Sequence, residues 1–408
     1  MKDDSQKIIL PMMMRPFQLK WLLLNLIFVT TPSRAELNIR AFQKVFLIHE
    51  SYPESTQAIT NLDRENSVQL SNRLMLDYRF AESCKTEFAA QFVIREESRA
   101  RFALRPDPQE LSRGDYRLKP LAGRWRNDDS DQRPAYLDYG LDRLLMECSP
   151  DWGDIIVGRQ AISLGTARFI SPNDVILPFN LLALDEDYRP GVDGIRARIP
   201  LATMSELDFG LILDGDDADI DPKFFIRSKF FWREADWSLT GLVHERASML
   251  GFGYASQIAG SGVWSEFSHV DVKEKAGGGS YNRASIGAEH YFTNEVYLLG
   301  EWHYNGAGKK NFRLLPSTTY AYQEGGVYLL GRNYVSFALS YSLTPLTQIQ
   351  GQMTRNLEQS SQFVSGHFQY QLAEDWQVKL GIFSGHGRQD SEFGLYPQMA
   401  YLELEVYF

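Results

Sequence analysis

The segment "AYLELEVYF", Ala400 to Phe408, alternates without a break between two kinds of side chain. Ala400, Leu402, Leu404, Val406 and Phe408 make an apolar row, and Tyr401, Glu403, Glu405 and Tyr407 make a mostly polar one. A period of two marks a β-strand, whose successive side chains point to opposite faces. Two different environments must therefore flank this segment up to Phe408. Chain ends in water usually fray. A strand that closes a barrel in a bilayer meets the demand, with lipid on one face, a polar lumen on the other and no open edge in hydrocarbon.

The same alternation recurs along the chain. "SVQLSNRLMLDYRF" sets Val68, Leu70, Leu74, Leu76, Tyr78 and Phe80 against Gln69, Ser71, Arg73, Asp77 and Arg79, and "KFFIRSKFFWR" behaves likewise. Short turns such as "AESC", "READ", "AGSG" and "LAED" alternate with longer connections, two of them long, at about 98–133 and 164–189. Tight turns at one end and longer loops at the other are the layout of an outer-membrane barrel. The reading gives strands near 37–49, 66–80, 85–97, 134–148, 153–163, 190–201, 205–214, 222–233 and 236–246. It continues with 251–260, 262–271, 281–292, 295–305, 322–343, 346–356, 361–372, 376–385 and 397–408. The expected fold is all-β, a transmembrane antiparallel up-and-down barrel of about 18 strands, with 16 as the alternative count. Strand 134–148 puts Arg143 on the same face as Leu137, Tyr139, Leu141 and Leu145, which asks for a bulge there.

Residues 1–35 read as a cleaved signal peptide, leaving 36–408 as the barrel. Arg15 and Lys20 precede an apolar stretch from Trp21 to Val29, and Ser33-Arg34-Ala35 offers small residues at −3 and −1. The stretch is too short for a spanning helix. Asp3 and Asp4 are out of place in an n-region, and initiation at Met13 or Met14 would remove them. Cleavage takes away five positive and two negative charges, moving the net charge from −10 to −13. An acidic chain argues against nucleic acid as a partner.

A last strand of this kind, ending in Phe408, resembles the signal that outer-membrane β-barrels of Gram-negative bacteria present to their assembly machinery. "VGRQAISLGTARFISPNDVILPFN" and "ALDEDYRPGVDGIRARIPL" resemble porin-like families that include alginate-export-type barrels, and "LLGEWHYNGAG" is similar to the same group. The resemblance covers most of 36–408. It implies outer-membrane lipid and lipopolysaccharide as surroundings and the barrel assembly machinery as a partner, with Leu402, Leu404, Val406 and Phe408 as the assembly signal. It also implies transport, by diffusion of small polar or anionic solutes or by export of an anionic polysaccharide.

If the apolar faces meet lipid, the opposite positions line the lumen. One wall is then basic, with Arg73, Arg79, Arg95, Arg159, Arg196, Arg198, Arg227, Lys229 and Arg233. Such a wall focuses anions; the plainer reading is that these charges pair across the lumen and solvate it. Later strands supply Glu266, Glu289, Glu301, Glu403 and Glu405, and Gln348, Gln350, Gln352, Gln369, Gln371 and Gln377 add a glutamine set. The loop 164–189 is apolar and then acidic, unlike a solvated external loop. A loop this long without a role is uncommon. Folding inward, it would set Asp185, Glu186 and Asp187 opposite Arg196, Arg198, Arg227, Lys229 and Arg233 as a constriction; an external cap or a subunit contact are the alternatives.

Cys84 and Cys148 fall at turn ends of strands placed side by side. Facing Cβ atoms on such strands lie about 4.5–5.5 Å apart, slightly above the usual span of a bridge. An oxidising periplasm would close the disulfide after a small adjustment.

Enzyme signatures fail. There is no GxSxG elbow, "GAGKK" lacks the phosphate-loop spacing, and the seven histidines show no zinc-like pairing. "DGDDADID" could hold Ca²⁺ but lacks the EF-hand glycine and distal glutamate, and a solvated acidic loop is the plainer reading. No catalytic residue, metal site or cofactor is expected. A channel is the leading function, with a plugged structural, adhesin-type or assembly-partner barrel as the alternative.

Overall fold

The computed structural model describes residues 36–54, 57, 63–96, 116–119, 121–127, 135–178, 187–215, 220–293, 295–310 and 319–408. The expected signal peptide lies outside them, as do Asp185 and Glu186. The early strands are β1 (Glu36–Ser51), β2 (Arg64–Ala81), β3 (Cys84–Glu96), β4 (Ala122–Asn127), β5 (Ala135–Cys148) and β6 (Asp154–Gln160). Next come β7 (Val192–Ala202), β8 (Ser205–Gly215), β9 (Ile220–Trp232), β10 (Ala235–Val243), β11 (Ala247–Ile258), β12 (Ser261–Val272) and β13 (Ser280–Tyr291). The last are β14 (Val296–Asn305), β15 (Asn333–Thr344), β16 (Thr347–Asn356), β17 (Ser361–Ala373), β18 (Trp376–His386) and β19 (Gln398–Tyr407).

Each strand pairs antiparallel with its neighbour, and β19 returns to β1 from Phe42↔Tyr407 to Ser51↔Gln398. Backbone bonds between Ala41 and Phe408 extend that seam at both N–H groups. Of the 19 strands among the described residues, β4 is extra: β5 pairs along its length with β3, while its other edge is shared by β6 and β4. The wall is therefore a closed barrel of 18 strands, and no strand edge is left open at the seam.

Alternation sets the outer surface. Leu144, Ile195, Leu239, Leu250, Ile286 and Leu380 point outward and stay exposed. An exposed apolar surface of this extent belongs in lipid. Tyr78, Phe80, Trp232, Tyr291, Trp376 and Phe408, all exposed, gather at the short-turn ends, where an aromatic girdle meets the interface. In β19, Leu402 is exposed, Leu404 half-buried and Val406 buried, while Tyr401, Glu403 and Glu405 are buried on the inner side. No helix among the described residues is long and apolar enough to cross a membrane, which says nothing about strands.

Three departures from the sequence reading have local causes. The pairing of β3 with β5 slips between Ala89 and Ala90, so β5 carries a bulge at Asp142 and both Asp142 and Arg143 turn inward. The conflict over Arg143 marked it. The expected strand 322–343 begins only at Asn333; the stretch before it enters the barrel with a short helix, α1 (Tyr320–Gln323). "EGGV" breaks the alternation there: Gly326 has φ +64 and a Cβ on it would meet the Val175 backbone at 2.7 Å. The long connection 98–133 contributes β4, too short a strand to show a period. Cys84 and Cys148 face each other across β3 and β5 and are joined as a disulfide, Cα atoms 4.2 Å apart.

Candidate functional site: a strap across the lumen

After β6 the chain turns into the barrel. Ile162, Leu164, Ile170, Val175 and Ile176 are buried, and the backbone between them is held by two wall carboxylates. Glu266 of β12 accepts the N–H groups of Thr166 (3.3 Å) and Ala167 (2.8 Å) and the Ser171 hydroxyl (3.0 Å). Glu301 of β14 accepts the N–H groups of Arg168 (3.0 Å), Phe169 (3.2 Å) and Ile170 (2.8 Å) and the Trp264 indole (2.9 Å). An irregular segment inside a barrel must find partners for its backbone, and these carboxylates supply them. Ser268 and Ser285 donate to the carbonyls of Pro172 (3.1 Å) and Ile170 (2.6 Å).

Apolar packing fills the space behind. Leu164, Val175 and Ile176 join Ile212, Phe225, Leu242, Met249, Val270 and Tyr281 of the wall with Tyr116, Tyr320, Ala321 and Val327 of other loops. A second cluster joins Ile170 and Leu329 to Tyr334, Phe363 and Phe393. The described part of the loop thus folds inward.

Its return limb docks elsewhere than expected. Asp187 pairs with Lys44 of β1, which also lies 3.4 Å from Glu405. Tyr188 stacks on Phe42 (centroids 5.4 Å), and the Arg73 guanidinium sits 4.2 Å from its ring centre. Arg189 pairs with Asp174, tying the two limbs together. Asp187 therefore does not face Arg196, Arg198, Arg227, Lys229 and Arg233: its limb is carried to β1 and β2, where a buried lysine already waits.

The basic wall is largely neutralised by its neighbours. Arg196 bonds Asp208 through Nε (2.7 Å) and Nη2 (2.8 Å), and Arg227 bonds the same carboxylate at 2.8 Å and the Ser163 carbonyl at 2.8 Å. Asp208 is fully buried. Arg159 is buried on Asp193 (2.7 and 2.9 Å) and two backbone carbonyls. Arg198 pairs with Glu147 (2.7 Å) and Asp154 (3.1 Å). Arg159 and Arg227 face their acidic partners Asp193 and Asp208 in register on adjacent strands, Arg196 meets Asp208 on the diagonal, and Arg227 also reaches the strap at Ser163. Lys229 is exposed opposite Glu206. Arg233 is no wall residue: it lies in the β9–β10 turn at φ +51, next to Glu234 at φ +59, and stacks on Trp232 at 4.4 Å.

Above the strap lies an ion cluster whose members are distant in sequence. Lys223 bonds Asp214 (2.7 Å) and Asp221 (3.3 Å) and lies 3.9 Å from Glu324; Arg246 pairs with Glu324 as well. Asp221, His244 and Glu324 have ligand atoms within 4.8 Å of one another, but the Lys223 ammonium already compensates both carboxylates. In "DGDDADID" the ends Asp214 and Asp221 are thus internal ion-pair partners, while 216–219 lie outside the described residues.

His244 clamps α1 to this wall, with Nε2 2.7 Å from the Tyr320 hydroxyl and Nδ1 3.2 Å from Asp221. Burial, with Lys223 beside it, pushes its imidazole down to about 4. A released histidine titrates near 6.5, so release binds a proton between those values. The His244 contribution to docking is therefore at full strength above pH ~6.5 and is lost as pH falls toward ~4, by about 3 kcal/mol. Lys273 and Arg246 flank the site, and Glu324, raised by burial, acts in the opposite sense. Protease cleavage within 319–332 of the folded barrel should accelerate on acidification, and His244→Gln should flatten the response. Equal protection at both ends of that window in the unaltered protein would contradict it.

No family model matches this chain, and no curated protein matches it in sequence. Solved structures match in fold. A BenF-like porin from Pseudomonas fluorescens Pf-5 superposes at TM-score 0.57 with 10% identity over 91% of this chain and 98% of that one. Pseudomonas aeruginosa OccK2 (OpdF) gives 0.57 and 9% over 91% and 98%. OccAB1 of Acinetobacter baumannii gives 0.55 and 11% over 91% and 96%. The fold is that of an outer-membrane porin, a closed antiparallel barrel of 18 strands. The likeness to alginate-export-type barrels expected from the sequence is not shown by these comparisons.

Proposed function

We propose that the protein is a channel in the outer membrane of a Gram-negative bacterium, through which small polar solutes diffuse past the strap at 161–178. The observation that carries this is the pinning of the strap to Glu266 and Glu301: it narrows a lumen too wide for side chains alone to fill. Charge selectivity is weak in this reading, because Arg159 and Arg198 have carboxylates of their own and Arg196 and Arg227 share that of Asp208. The one excess positive charge, left where Asp208 serves both Arg196 and Arg227, gives a slight anion preference. Export of an anionic polysaccharide has no supporting observation. Lipid, lipopolysaccharide and the assembly machinery are the partners this reading requires.

A plugged, non-conducting barrel is the competing reading, favoured by the two apolar clusters that occupy the interior. Planar-bilayer recording separates the two. Steady single-channel steps with a reversal potential near zero in a salt gradient support a weakly selective channel. Insertion without steps establishes the plugged barrel.

A further inference from the structure

One sector of the lumen wall carries no formal charge. Ser340 of β15 stands opposite Gln350 of β16, which stands opposite His367 of β17; in the next row Ser342, Gln348 and Gln369 line up in the same way. Rows of this kind repeat every second residue along the strands and every 4.7–4.9 Å across them. The Gln350 amide donates to Gln348 (3.0 Å), and Gln348 donates to the Ser340 hydroxyl (2.8 Å). Gln352, His367 and Gln369 form no side-chain hydrogen bond with any described residue. A cavity of about 560 Å³ opens beside the β15–β16 turn, with Ser342, Thr344, Gln348, Gln369 and Gln371 among its walls; its one charged lining residue among the described ones is Glu295, an acid that would repel a carboxylate. That volume suits a small molecule.

The nearest cation offers nothing to an incoming anion. Lys379, paired in register with Gln369, lies 3.4 Å from Glu403 and 3.5 Å from Glu405. An amide side chain presents two donors and an oxygen with two acceptor lone pairs, and a hydroxyl one donor and two acceptor lone pairs. A block of both, repeated on a grid, complements a molecule that bears several adjacent hydroxyls. It gives a carboxylate no charge to meet.

We propose that the glutamine block on β15–β17 is a binding station for an uncharged, polyhydroxylated solute of sugar size. This deepens the channel reading and rests on it. The solute loses water from its hydroxyls and regains hydrogen bonds from Gln348, Gln350, Gln369 and Ser340, and no ion is desolvated in the exchange.

The test is single-channel recording of the purified barrel in molar KCl, with sucrose or sodium gluconate added on one side. Sucrose should interrupt the current briefly, at a frequency proportional to its concentration, and gluconate should not. Replacing Gln348, Gln350 and Gln369 together by Ala should cut the interruption frequency at least about tenfold. Should that variant fail to insert, Gln369→Leu serves, since its amide bonds no neighbour and the fold does not depend on it. Steps that sucrose leaves unbroken, or that only gluconate interrupts, overturn this inference and leave the channel standing. Absence of steps overturns the channel reading and this inference with it.

Discussion

Replacing Glu301 by Ala should enlarge the conductance and make it noisy. The carboxylate accepts from three consecutive backbone N–H groups, those of Arg168, Phe169 and Ile170, and from the Trp264 indole. Truncation strips four donors of their acceptor. A buried donor without a partner costs about 1–3 kcal/mol, so four would total on the order of 4–12 kcal/mol. The barrel wall itself keeps its backbone ladder, and the strap has a cheaper way out: it detaches and its N–H groups turn to water. Glu301→Gln should be milder, because its single oxygen can take the place of Oε2, which accepts from Arg168, Phe169 and Trp264, and only the Ile170 N–H is left facing an NH2 group. Glu266→Ala, which orphans the N–H groups of Thr166 and Ala167 and the Ser171 hydroxyl, should add to the effect. Single-channel recording measures it. Unchanged step size and noise in the Glu301→Ala, Glu266→Ala double variant would show that the strap does not bound the conducting path.

Asp208→Ala should lower the heat stability of the barrel more than removal of any one arginine near it. Asp208 is fully buried between Arg196 and Arg227, and its loss leaves two cations facing each other. Removing one partner of a buried ion pair costs about 3–5 kcal/mol, while replacing the whole group by apolar residues of similar size is often neutral. The temperature at which the folded band converts to the unfolded one on gels should therefore fall clearly in Asp208→Ala. It should recover in the combination of Arg196→Met, Asp208→Leu and Arg227→Met. Equal melting of Asp208→Ala and the unaltered protein would mean that water reaches these groups. The same argument revises the role of the arginines: they hold the strap's first residues, through the bond from Arg227 to the Ser163 carbonyl, as much as they shape any field.

The strands, the lipid-facing rows and the barrel itself were legible in the sequence. Alternation at Leu402, Glu403, Leu404 and Glu405 is a local, covalent property: each peptide unit turns the next side chain to the other face whatever lies beyond. The bulge in β5 was legible for the same reason, because Arg143 broke the rhythm. Where the rhythm was absent, at 319–332, the reading extended a strand through what is an inward loop. Partners across the lumen were decided only by the tertiary structure. Parity placed Glu266 and Glu301 inside, yet it is blind to which residue arrives opposite them. Glu301 meets residues more than a hundred positions earlier, and Asp187 reaches Lys44 across a comparable separation. Such meetings depend on the register of every intervening strand and on where a loop finds acceptors for its backbone, and no short window of sequence contains either.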